Sequence, residues 1–124
     1  MLNNIENNYA SYRLNDNIVY IRYHIQVTID IEAAVKIVED RLTLQKGESF
    51  PVLCDIRGVK EINKSARDYL ALEGSLFVKA VAFIVDNPLS GTMTKFYLKA
   101  NKPPVPTRAF LTIEEAKVFL DEYR

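Results

Sequence analysis

The chain has 124 residues, 48% hydrophobic and 26% charged, and its 16 basic and 16 acidic side chains cancel to a net charge of zero. That length suits one domain with its own core, and the neutral balance excludes a global electrostatic pull toward nucleic acid or an anionic membrane. The single cysteine, Cys54, excludes an internal disulfide and points to a reducing compartment, so the expected location is the cytoplasm. Residues 1–8 are polar and Asn-rich, without the basic start or apolar core of a signal peptide, and are expected to form a flexible lead-in to a single domain over 9–124. No run reaches the roughly 18 apolar residues of a membrane span.

Tyr9 to Leu14 and Ile18 to Ile25 read as two strands of a hairpin around Asn15-Asp16-Asn17, since Asn and Asp tolerate the left-handed turn conformation. Thr28 or Asp30 can cap a first helix whose apolar face would be Ile31, Ala34, Val35, Val38 and Leu42, with Gly47 as its stop. Pro51 to Ile56 is a short apolar run of the kind covered on both faces in a parallel sheet, and the fold is expected to be built around it. Gly58 breaks it, and a second helix starting at Asn63 or Ser65 runs to about Glu73, with Gly74 behind it.

Val78 to Val85 is the most apolar strand and the best candidate for the sheet centre, and it ends at Asp86. Asn87-Pro88 is a helix start, followed by the stripe Leu89, Met93, Phe96, Tyr97 and Ala100 and closed by Pro103, Pro104 and Pro106. Arg108 to Leu111 reads as a last strand, and Thr112 with Glu115 as the capping box of a last helix. The predicted class is α/β: a single layer of mixed five-stranded sheet with four helices, in the order β-β-α-β-α-β-α-β-α.

The length, the element order and the strand-to-helix segment from Val52 to Leu70 resemble the SpoIIAA-like, or STAS, family, over most of the chain from about Tyr9 onward. The segments KAVAFIVDNP and PTRAFLTIEEAKVFL look like a divergent bacterial branch of it. The resemblance implies a regulatory protein of the anti-sigma-factor-antagonist kind, in which a serine in the loop before the second helix is phosphorylated to release a partner kinase. The matching stretch here is Asn63, Lys64, Ser65 and Ala66, and an ungapped count puts Lys64 under the family's phosphorylated position. Ser65 keeps the hydroxyl, while the family's acidic residue is Asn63 and its glycine is Ala66. Ser65 also suits an N-cap, with Asp68 at the third helical position.

Arg57, Lys60, Lys64 and Arg67, with Asn63 and Ser65, gather cations and a hydroxyl around a helix start. The free N–H groups and dipole there favour an anion or an acidic partner. Asp55, Asp86 and Asn87 stand at the carboxyl ends of two central strands, where ligands collect in open α/β sheets. The lone histidine, His24, has no recognisable nucleophile or metal-ligand pattern around it. No catalytic, metal-binding or nucleotide-binding motif occurs, and no cofactor is expected.

The sequence thus predicts a non-catalytic cytoplasmic regulatory module that binds a protein partner over Gly58 to Tyr69. The alternative is a small-ligand domain, holding an anion at the second helix or an apolar molecule under residues 89–100. An exposed edge at Tyr9 to Leu14 offers a route to a homodimer.

Overall fold

The structure is a computed structural model, and it describes residues 3–86 and 104–124. Six strands form the main sheet: β1 (Asn4–Glu6), β2 (Ala10–Asn15), β3 (Ile18–Tyr23), β5 (Phe50–Asp55), β7 (Val78–Ile84) and β8 (Thr107–Phe110), hydrogen-bonded in that order. β1, β2 and β3 are antiparallel, whereas β3, β5, β7 and β8 run parallel. A separate two-stranded parallel sheet joins β4 (Val27–Ile29) to β6 (Val59–Ile62). Three α-helices are described: α1 (Ile31–Gln45), α2 (Lys64–Leu72), which runs on into a 3-10 turn at Glu73–Ser75, and α3 (Ile113–Asp121).

The fold is built around the strand at Pro51 to Ile56, as expected, but the more apolar Val78–Ile84 strand is not the sheet centre: it lies one place from the edge, next to β8. β5 lies between β3 and β7, and all six of its residues are buried. One face of the sheet, carrying Val19, Ile21, Val52 and Cys54, packs with Ala33, Ala34, Ile37 and Leu44 of α1 and Ala66 of α2. The opposite face, with Ile18, Leu53, Ala80, Ala82 and Ile84, is covered by Ala116 and Leu120 of α3. α3 starts where the capping box places it. Thr112 Oγ1 accepts from the Glu115 N–H at 3.2 Å and donates to the Glu115 carboxylate at 2.9 Å.

Several expectations are corrected. The predicted sheet of five strands has six among the described residues, plus the β4–β6 pair. The sixth comes from the expected lead-in, where Asn4–Glu6 pairs with Ser11–Arg13. Asn7 fixes that connection: its side-chain Oδ1 accepts from the N–H groups of Tyr9 and Ala10, and its side-chain NH2 donates to Tyr12 Oη and Asp40 Oδ2. The route to a homodimer through Tyr9 to Leu14 is closed, because β1 already occupies that edge. Thr28 lies in β4, and Asp30 alone caps α1, accepting from Ala33 N–H at 2.9 Å. The buried face of α1 is Ala33, Ala34, Ile37, Val38, Arg41, Leu44 and Gln45, so Ile31 is 42% exposed and two polar residues lie inside. The predicted third helix, begun by Asn87-Pro88 and carrying the stripe from Leu89 to Ala100, lies outside the described residues.

Candidate functional site

The chain leaves β5 at Asp55 and doubles back at once. Arg57 is held by the carboxylate that precedes it: its Nε donates to Asp55 Oδ1 at 2.9 Å, its Nη2 to Oδ2 at 2.7 Å and its backbone N–H to Oδ1 at 3.1 Å. Burial alone pushes the Asp55 pKa up. The hydrogen bonds from Arg57 and the charges of Arg57 and Arg22 outweigh it, and the pKa ends below the usual carboxylate value. Arg57 is raised in return, first by its hydrogen bond to Asp55 and in smaller part by the charge of Asp86, which lies just past β7. The structure therefore draws Asp55, Arg57 and Asp86 into one electrostatic group at the ends of β5 and β7. Asp55 and Arg57 line a broad hollow of about 560 Å³ that they share with Arg13, Tyr20 and Arg22.

A depressed carboxylate pKa stabilises the fold above the unfolded-state value and loses that contribution as pH falls through the folded value. Thermal melts from neutral pH down to roughly pH 2 are expected to show an acid-side loss of Tm that is shallower in Asp55→Asn. Parallel curves would show that the Asp55–Arg57 pair does not couple folding to pH.

After Gly58 the chain forms β6, with Lys60 and Glu61 exposed, and turns into α2. Asn63 is the N-cap, its side chain accepting from the Ala66 N–H at 2.9 Å. This corrects the reading of Ser65 as the cap, because Ser65 already lies inside the helix. Lys64 pairs with Asp68 one turn on, at 2.8 Å. Asn63, Lys64 and Ser65 are exposed, and Arg67 is half-buried. Lys60, Asn63, Lys64 and Ser65 thus make one polar surface. Arg57 belongs instead to the Asp55 group, and Asn87 lies outside the described residues.

His24 stands at the far end of the hairpin, with its Nε2 3.2 Å from the Glu6 carboxylate and its Nδ1 3.3 Å from the Asn8 carbonyl. Cys54 is buried in β5, and burial pushes its thiol up to about 12, so it is an inert core group. Among the described residues, no three His, Cys, Asp or Glu side chains gather where they would hold a metal ion. No described helix is long and apolar enough to cross a membrane.

A feature with no counterpart in the sequence reading lies on the other side of β5. A cavity of about 90 Å³ opens between α1, α2 and the sheet, lined by apolar side chains such as Ile21, Ile37, Val52, Leu70 and Val81, and by Arg41. Arg41 is only 2% exposed. Its Nη1 donates to Gln45 Oε1 and, at 3.0 Å, to the Leu76 carbonyl, and its Nη2 donates to the Gly74 carbonyl at 3.1 Å. The one local signal for it is the spacing of Ile37, Arg41 and Gln45, where a helical stripe passes from apolar to polar without leaving its face.

The family model described as a domain of unknown function, DUF7793, matches residues 12–124. The chain belongs to that family. No curated protein matches this DUF7793 chain. Among solved structures it is similar to an uncharacterised protein of the DUF3478 family from Shewanella loihica PV-4, described as having a SpoIIAA-like fold. The two are 19% identical, with 94% of this chain and 98% of that one covered and a TM-score of 0.60. The DUF7793 chain therefore has the SpoIIAA-like fold that its sequence resembles.

Proposed function

We propose that the protein is a non-catalytic, cytoplasmic regulatory module that holds a protein partner on the surface from Gly58 to Tyr69. The observation that carries this reading is the spare hydroxyl at the start of α2. Asn63 does the capping and Lys64 is paired with Asp68, so Ser65 stands exposed at the helix start with no capping duty. A contact or phosphoryl group there would meet the positive end of the helix dipole, with Lys60 and Lys64 in the same segment. The SpoIIAA-like fold supports the reading, because a serine in this region serves partner control in the antagonists the sequence resembles. The mutual neutralisation of Asp55 and Arg57 supports a non-catalytic role, since it engages the strongest acid–base candidates with each other.

The test is capture of partners from the source cell with wild type, Ser65→Asp and Lys64→Glu. The expected result is a partner recovered by wild type and lost by both variants. Ser65→Ala should keep wild-type stability, whereas Asn63→Ala loses about 1 kcal/mol with its cap. The same proteins recovered by all three baits would refute the surface.

The cavity favours a second reading, small-ligand binding, in which the partner surface and a ligand site lie on either side of α2. Of the ligands considered from sequence, an anion at the α2 N-terminus has less support, because the Arg57 guanidinium is already engaged by Asp55.

A further inference from the structure

We infer that the cavity between α1, α2 and the sheet is a binding site for a small apolar monocarboxylic acid, its carboxylate held by Arg41 and its tail by the apolar walls. This rests on the ligand reading of the cavity and adds the chemical class of the ligand. Moving a cation out of water costs several kcal/mol unless an anion or a full set of acceptors replaces the solvent. Arg41 is almost wholly buried, and no carboxylate among the described residues pairs with it.

The groups whose charge bears on Arg41 are Cys54, Tyr23 and Tyr12. Burial raises the pKa of both Cys54 and Tyr12, so both are neutral at physiological pH. The bonds to Gln45, Leu76 and Gly74 leave the Nε–H and one Nη2–H without a partner among the described residues. A guanidinium fork with free donors is the side-chain geometry that matches a carboxylate.

The rest of the wall selects the rest of the ligand. Ile21, Ile37, Val52, Leu70 and Val81 offer no hydrogen bonds, so a polyanion or a sugar would leave its polar groups unpaired. The volume, about 90 Å³, is several times what one water needs and below that of an engineered apolar cavity of about 150 Å³ that takes benzene. It suits a chain of a few carbons. The competing account is that Arg41 only clamps the carbonyls at the end of α2. The two differ in whether an acid binds better than its uncharged analogue.

The experiment titrates the full chain, by calorimetry and thermal shift, with straight-chain carboxylates of about two to five carbons, the matched primary alcohols, and inorganic phosphate. The expected result is saturable binding of the acids, at least about tenfold tighter than the alcohols, with no response to phosphate. Arg41→Lys should weaken the acids about tenfold and leave the alcohols unchanged. Val81→Phe, which fills the cavity from the sheet, should abolish both.

Alcohols binding as well as acids would overturn the acid class and leave the cavity standing as a ligand site. Binding of neither would overturn both. Acid binding unchanged in Val81→Phe would overturn the location, and phosphate binding as tightly as the acids would overturn the apolar tail. If Arg41→Lys fails to fold, the acid–alcohol comparison in the wild-type chain still decides the class.

Discussion

Arg41→Met is expected to destabilise the fold by about 3 kcal/mol, because breaking a buried charged network strands the groups that were bonded to it. Methionine keeps the length and apolar packing of the side chain, so the loss isolates the guanidinium. Three acceptors lose their donor: the Gln45 amide oxygen and the carbonyls of Leu76 and Gly74. The damage extends through Gln45, which is 1% exposed and whose amide donates to the carbonyls of Glu48 and Phe77, each at 2.9 Å. Together the pair ties the end of α1 to the 3-10 turn after α2 and to the residues that lead into β7.

Gln45→Leu should therefore be nearly as costly. The double variant should lose clearly less than the sum, since the two side chains act as one unit. Urea melts of the four proteins check this. Additive losses, or an Arg41→Met loss under about 1 kcal/mol, would mean that the carbonyls find water and the network is not structural.

Gly58→Ala is expected to cost about 2 kcal/mol, and Gly58→Val more, for a reason of space. A Cβ at this position would sit 2.8 Å from the carbonyl oxygens of both Tyr23 and His24. Both are backbone atoms, so relief requires the β3–β4 turn to move as a whole. That turn is held against Gly58 by the Gln26 N–H, which donates to the Gly58 carbonyl at 2.7 Å, and Gln26 already carries a left-handed φ of 66°. The shift would propagate into β4 and β6, whose pairing depends on this approach. Chemical denaturation gives the loss, and amide exchange in Val27–Ile29 and Val59–Ile62 should rise with it. A Gly58→Val protein within about 0.5 kcal/mol of wild type would show that the turn yields freely.

The candidate surface was legible from the sequence as a place and misread in its detail. Lys60, Lys64 and Ser65 are exposed as their composition suggests. Both Asn63 and Ser65 are good caps by type, and nothing local chooses between them. The choice follows from the path of β6, which hydrogen-bonds the Asn63 N–H to the Ile29 carbonyl and starts the helix one residue later. The sequence offers Arg57 both as a cation for an anion site and as a partner for Asp55 or Asp86, and nothing local chooses among these. Only the reversal of the chain after β5 brings Arg57 and Asp55 together in a paired fork.

What the sequence determined by itself is whatever short-range periodicity and capping chemistry encode. The hairpin at Asn15–Asn17, the buried strand at the centre, the Asp30 and Thr112 caps and the alternation of strand and helix all follow from residues a few positions apart. The remaining features depend on groups far apart in the chain. β1, β4 and β6 are three or four residues long, too short for a period of their own, and exist because a neighbouring strand supplies their hydrogen bonds. The phase of α1 follows the same rule. Its apolar residues fit two faces, and the one buried is the face that delivers Arg41 to carbonyls 33 and 35 residues away. That placement, which no local pattern specifies, is what puts a buried charge on the wall of an apolar cavity.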